Sequence, residues 1–107
     1  MANTYYFLAA SAAFFKEHIV SEILEERTSN YKHKNKEIDF WHIEEPRFLE
    51  SSQFNDLRRR CPQPTAAIVS TDGQFILWLK HRLQYVATGQ FDASEVADPL
   101  AGAAVIY

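Results

Sequence analysis

Between Lys36 and Pro46 the chain reads KEIDFWHIEEP, with apolar residues on both sides of its alternation. Ile38, Phe40 and His42 share one side, and Asp39, Trp41 and Ile43 the other. The pattern therefore predicts a strand with both faces at least partly covered, stopped by Pro46, which cannot donate to a ladder. Thr4 to Ala10 (TYYFLAA) and Thr65 to Ser70 (TAAIVS) are apolar on both faces and read as further buried strands. Helical spacing appears from Ile19 to Tyr31, where Ile19, Val20, Ile23, Leu24 and Tyr31 form one stripe. A broken helical segment is expected from about Pro46 to Cys61, ended by Pro62 and Pro64. Thr71 or Asp72 should cap a helix from about Gly73 to Thr88, with Gly89 as its stop. Beyond Gln90 the chain reads as a tail that lies over the body or is partly disordered.

Two charged residues break these patterns. Asp39 stands between Ile38 and Phe40, where a carboxylate loses hydration and needs donors or a cation. The comparably placed cation is Arg82. On a helical wheel Phe75, Ile76, Leu79, Leu83 and Val86 form the core stripe of the last helix, and Lys80 and Gln84 lie opposite. Arg82 falls at the margin of that stripe, one turn from Trp78 and close to Tyr85. It either anchors an internal ion pair or sits in an exposed aromatic-arginine patch of the kind that dominates protein interfaces. Both readings stay open, and the surface placement is favoured.

Composition narrows the class of function. With 107 residues, 47% hydrophobic and 23% charged, the chain is expected to form one ordinary globular domain over residues 1–92, with 93–107 as the tail. A net charge of -3 and a pI near 5.7 argue against non-specific nucleic-acid binding. The single cysteine, Cys61, suits a reducing compartment, and the first residues lack a signal-peptide pattern, so a cytosolic or equivalent organellar location is expected. His18, His33, His42 and His81 show no ligand spacing, there is no Glu-x-x-His, and on a strand Asp39 and His42 would face opposite sides. No metal or cofactor site is expected. Cys61 reads as a structural thiol, and Glu25-Glu26-Arg27 and Arg58-Arg59-Arg60 as solvated helix faces. Without a glycine-rich phosphate loop or nucleophile elbow, the residues argue against an independent catalyst and favour a binding or scaffolding module.

Several blocks, in order along nearly the whole chain, carry a resemblance: YYFLAAS (5–11), EERTSNY (25–31), KEIDFW (36–41), EEPRFLE (44–50), CPQPTAAIVSTD (61–72), FILWLKHRLQYVATGQF (75–91) and DPLA (98–101). Together they closely resemble the small auxiliary subunit of the oxygen-dependent magnesium-protoporphyrin IX monomethyl ester cyclase, a cyanobacterial and plastid family. The resemblance implies a compact α+β domain, a mainly antiparallel sheet of three to four strands flanked by helices. It also implies a non-catalytic subunit that docks on the di-iron catalytic subunit of the cyclase and supports its accumulation or activity. Other chlorophyll-biosynthesis enzymes are further candidate partners. The implied location is the cyanobacterial cytosol or plastid stroma, with the thylakoid surface reached through the partner. Asp39 and Phe40 in KEIDFW and Arg82 in LKHRLQY match the family's partner-binding surface, and Trp78 and Tyr85 flank Arg82. His33, Lys34, His42 and the AGAAVIY end depart from the family, and nothing is carried over to them. The alternative, from another class, is a tetrapyrrole-binding protein or small oxygenase that uses the aromatic face of the sheet as a pocket.

Overall fold

The computed structural model describes residues 4–17, 20–84, 86–96 and 98–105. Its strands are β1 (Thr4–Ser11), β2 (Phe40–Glu44), β3 (Thr65–Ser70), β4 (Ala87–Asp92) and β5 (Ala103–Val105). Its helices are α1 (Ala12–Glu17), α2 (Val20–His33), α3 (Asn55–Arg60) and α4 (Gly73–Leu83), with 3-10 turns at Arg47–Glu50, Ser52–Phe54 and Ala93–Glu95. All strands join one antiparallel sheet in the order β4-β1-β3-β2-β5. The architecture is α+β, with five strands rather than three to four.

Both faces of the sheet are covered, which explains why its central strands are apolar throughout. Every residue of β3 is buried. Leu8, Ala10 and Ile68 point to the layer formed by α1, α2 and α4, where they meet Val20, Leu24 and Leu79. Their neighbours Phe7, Ala9 and Val69 point the other way, into a second core with Ile43, Phe54 and Phe91. Rings interlock there: Phe48 lies 4.8 Å from both Phe7 and Phe91, centroid to centroid. Burying each such side chain contributes about 1.5–3 kcal/mol, so both layers are needed to hold the sheet.

Two expectations change at the C-terminal end. α4 stops at Leu83, not Thr88, because Gln84 turns the chain out of the helix at φ 63° while its N–H still bonds the Lys80 carbonyl at 2.8 Å. Gly89 is then a strand residue opposite Phe7, not a helix stop. Its missing side chain makes room for that ring, since a Cβ there would lie 2.7 Å from Phe7 Cζ. The stretch expected as a tail lies over the body. Val96 and Leu100 pack on the second core, and β5 pairs with β2 through Ile43 and Ala104. Alanine and glycine are poor strand formers, so only this pairing reveals β5.

The other elements form near where the pattern placed them, except that β2 starts at Phe40 and not at Lys36. Asp72 caps α4 by accepting from the backbone N–H groups of Gln74 and Phe75, and Phe75, Ile76, Leu79 and Leu83 make its buried stripe. Among the described residues no helix is long and apolar enough to cross a membrane.

Candidate functional site

α4 presents an unusual outer face. It carries no acidic residue and ends in Lys80, His81 and Arg82, all exposed. Trp78 is 50% exposed and Leu77 55%, on a helix whose opposite side is in the core. The Arg82 guanidinium carbon lies 5.8 Å from the centre of the Trp78 ring, within cation-π range. Beside this pair a groove of about 360 Å³ runs between α2 and α4, lined by Ile23, Glu26 and Asn30 on one side, Phe75, Trp78 and Arg82 on the other, and Arg27. An exposed tryptophan and arginine bordering a groove is the composition of an interface centre.

Asp39 is held elsewhere. Its carboxylate accepts from the Tyr31 hydroxyl at 2.8 Å and lies 3.7 Å from the Lys36 ammonium. The hydrogen bond to that same phenol holds the Lys36 ammonium above its ordinary pKa. No ion pair joins Asp39 to Arg82, so the internal-pair alternative falls. The strand starts one residue after Asp39, at Phe40, and this frees the carboxylate to turn toward α2 instead of following the alternation. Its backbone carbonyl accepts from the Ser70 hydroxyl at 2.8 Å and the Thr71 N–H at 3.1 Å, which ties it to the turn that leads into α4.

Phe40 is only 4% exposed, so it supports the surface from below. The residue above it is Arg27, which the charge pattern assigned to solvent. Arg27 donates through Nη2 to the Tyr31 hydroxyl at 2.7 Å and to Asp72 at 3.3 Å. Its guanidinium carbon lies 3.7 Å from the Phe75 ring centre and 5.5 Å from that of Phe40. Val20, Leu24, Arg27 and Tyr31 recur at helical spacing, so Arg27 lies on the buried stripe of α2, and that spacing was the available signal. Glu25 and Glu26 are exposed, as are Arg58, Arg59 and Arg60. Tyr85 lies outside the described residues, as does His18.

The remaining reactive groups are buried without converging. His42 packs edge-on against Phe15, and burial lowers its pKa. Burial likewise pushes the Cys61 thiol up, against a smaller opposing effect of Arg60. Among the described residues no group of three His, Cys, Asp or Glu could hold a metal ion.

The model of the Ycf54 protein family matches residues 3–93. The chain is 44% identical over 103 residues to the Ycf54-like protein of Synechocystis sp., covering 94% of this chain and 77% of that one. It is 35% identical over 102 residues to the Arabidopsis thaliana protein named "Protein YCF54, chloroplastic", covering 94% of this chain and 47% of that one. The crystal structure of Ycf54 protein from Thermosynechococcus elongatus superposes with a TM-score of 0.90 at 50% identity, covering 97% of this chain and 98% of that chain. The structure of Ycf54 from Synechocystis gives a TM-score of 0.88 at 42% identity, covering 95% and 98%. A family model over residues 3–93, relatives at this identity and solved structures at this TM-score agree, and this chain belongs to the Ycf54 family.

Proposed function

We propose that this chain is a non-catalytic accessory subunit of the aerobic magnesium-protoporphyrin IX monomethyl ester cyclase of chlorophyll biosynthesis. It docks on the di-iron catalytic subunit and supports that subunit's accumulation or activity, with other enzymes of the pathway as further partners. The observation that carries this reading is the Arg82–Trp78 pair on α4, exposed and bordered by a groove. A standard interface buries roughly 800 Å² on each partner, a small part of the 6744 Å² that this chain exposes. Asp39 and Phe40 take part by shaping the surface from beneath, and Arg82 and Trp78 by touching the partner. The subunit works in the cyanobacterial cytosol or plastid stroma and meets the thylakoid through its partner, a reading supported by the chloroplastic name of the Arabidopsis relative.

The test pairs co-purification of tagged wild type and Arg82→Ala with the catalytic subunit and thermal melts of both free proteins. Loss of the partner with an unchanged melt is expected. No capture by wild type, or saturable Soret-band binding of the porphyrin by this chain alone, would sink the accessory-subunit reading.

A further inference from the structure

Five side chains touch in a series from the sheet to the solvent, and Phe40 also meets Phe75 edge to face with centroids 5.7 Å apart. Phe40, on β2, lies under Arg27 of α2, whose flat guanidinium covers Phe75 of α4 at 3.7 Å. Phe75 in turn stacks on Trp78, with centroids 6.3 Å apart and planes 19° apart. Arg82 closes the series over the Trp78 ring at 5.8 Å. Arg27 is the member that joins three elements. Its Nη2 reaches the Tyr31 hydroxyl and the Asp72 carboxylate, and Tyr31 in turn donates to Asp39. Asp72 also caps α4, so the same carboxylate fixes the start of that helix and one end of the guanidinium.

We propose that Arg27 is a positioning residue of the docking face: laid on the face of Phe75 beside Phe40, it fixes the ring on which Trp78 stacks and hence the place of Trp78 and Arg82. This rests on the docking reading above and extends it to a residue that does not itself supply the exposed patch. Arg27 has a side chain only 24% exposed, whereas Trp78 and Arg82 stand open. A planar cation covers the face of Phe75 while also donating sideways to Tyr31 and Asp72. Lysine keeps the charge and can still meet Asp72, but it leaves the outer face of Phe75 uncovered and that ring freer to turn about its edge contact with Phe40. Trp78 then loses the ring behind it. The same logic explains how Asp39 and Phe40, neither of them in the exposed patch, bear on docking: one holds Tyr31 and the other floors the guanidinium.

The experiment uses the full chain carrying Trp41→Phe, which leaves Trp78 as its one tryptophan. In this background Arg27→Lys is expected to red-shift Trp78 emission and to raise its quenching by acrylamide in the free protein. Affinity for the cyclase catalytic subunit should fall about tenfold, the scale of a lost cation-π contact of this kind. Tyr31→Phe, which frees one end of the guanidinium and leaves the ring in place, should move both readouts the same way by less. This variant keeps the test open if Arg27→Lys does not fold. In a double-mutant cycle with Arg82→Ala the two losses should be less than additive. Additive losses with unmoved Trp78 emission would show that Arg27 makes a contact of its own and overturn the positioning role. Unmoved emission overturns it even where Arg82→Ala loses the partner. Shifted emission without capture by wild type overturns the docking reading alone.

Discussion

Asp39 accepts a hydrogen bond from the Tyr31 hydroxyl at 2.8 Å, so one phenol ties the start of β2 to the last turns of α2. The hydroxyl also accepts from Arg27 and from Lys36. Removing the carboxylate leaves a part-buried donor without its acceptor, a loss of about 1–3 kcal/mol. Asp39→Ala should therefore lower the melting temperature of the free protein, whereas Lys36→Ala, at the exposed end of the network, should change it less. Equal effects in thermal melts would refute this ranking.

Trp78 and Arg82 contribute little to the folded state because Trp78 is half exposed and Arg82 is exposed. Trp78→Ala is expected to cost the free protein about 1 kcal/mol, the worth of its stacking on Phe75. Its cost in partner affinity should be about 2–4 kcal/mol, as for a residue at an interface centre. Chemical denaturation beside a binding titration separates the two numbers, and a stability loss as large as the affinity loss would return Trp78 to the core.

Gly89 is constrained by Phe7 across the β1–β4 ladder. Gly89→Ala drives a methyl into a ring that is itself locked against Phe48 and Phe54, so it cannot yield cheaply. Overpacking of this kind costs about 1–3 kcal/mol. A melt that rises instead would mean that strand propensity outweighs the clash.

His42 makes stability depend on pH. Burial holds its folded pKa below 6.5, so the unfolded chain takes up a proton first as pH falls. Its contribution is complete above pH 6.5 and is lost as the pH drops toward the lower folded value. Between pH 7.5 and 5 the melting temperature of wild type should fall further than that of His42→Gln. Parallel curves for the two proteins would rule out His42 as the source.

How much of this was legible in the sequence depends on how local each signal is. β1, β3 and the core stripe of α4 follow from period and composition, and they lie where those patterns place them. β4 was hidden because Val86-Ala87-Thr88-Gly89 reads equally well as the end of a helix, and only its pairing to β1 decides the matter. Arg27 was hidden by its neighbours. Glu25 and Glu26 make the run look solvated, but the rings that the guanidinium packs on, Phe75 and beside it Phe40, come from two other elements. Arg82 stood out because an arginine beside Trp78 interrupts an otherwise ordinary stripe, although its exposure is a tertiary fact.

The sheet order also fixes when the molecule becomes safe from its own kind. Once Ser70 has been made, β1, β3 and β2 can pair, but β1 and β2 then form the two borders. The strands that cover those borders, β4 and β5, leave the ribosome after all three. During that interval an apolar strand with unpaired backbone groups is open to any other nascent copy. A chain cut before Ala87 would stay in that condition, so nicking near the C-terminal end should produce aggregates rather than a smaller working subunit.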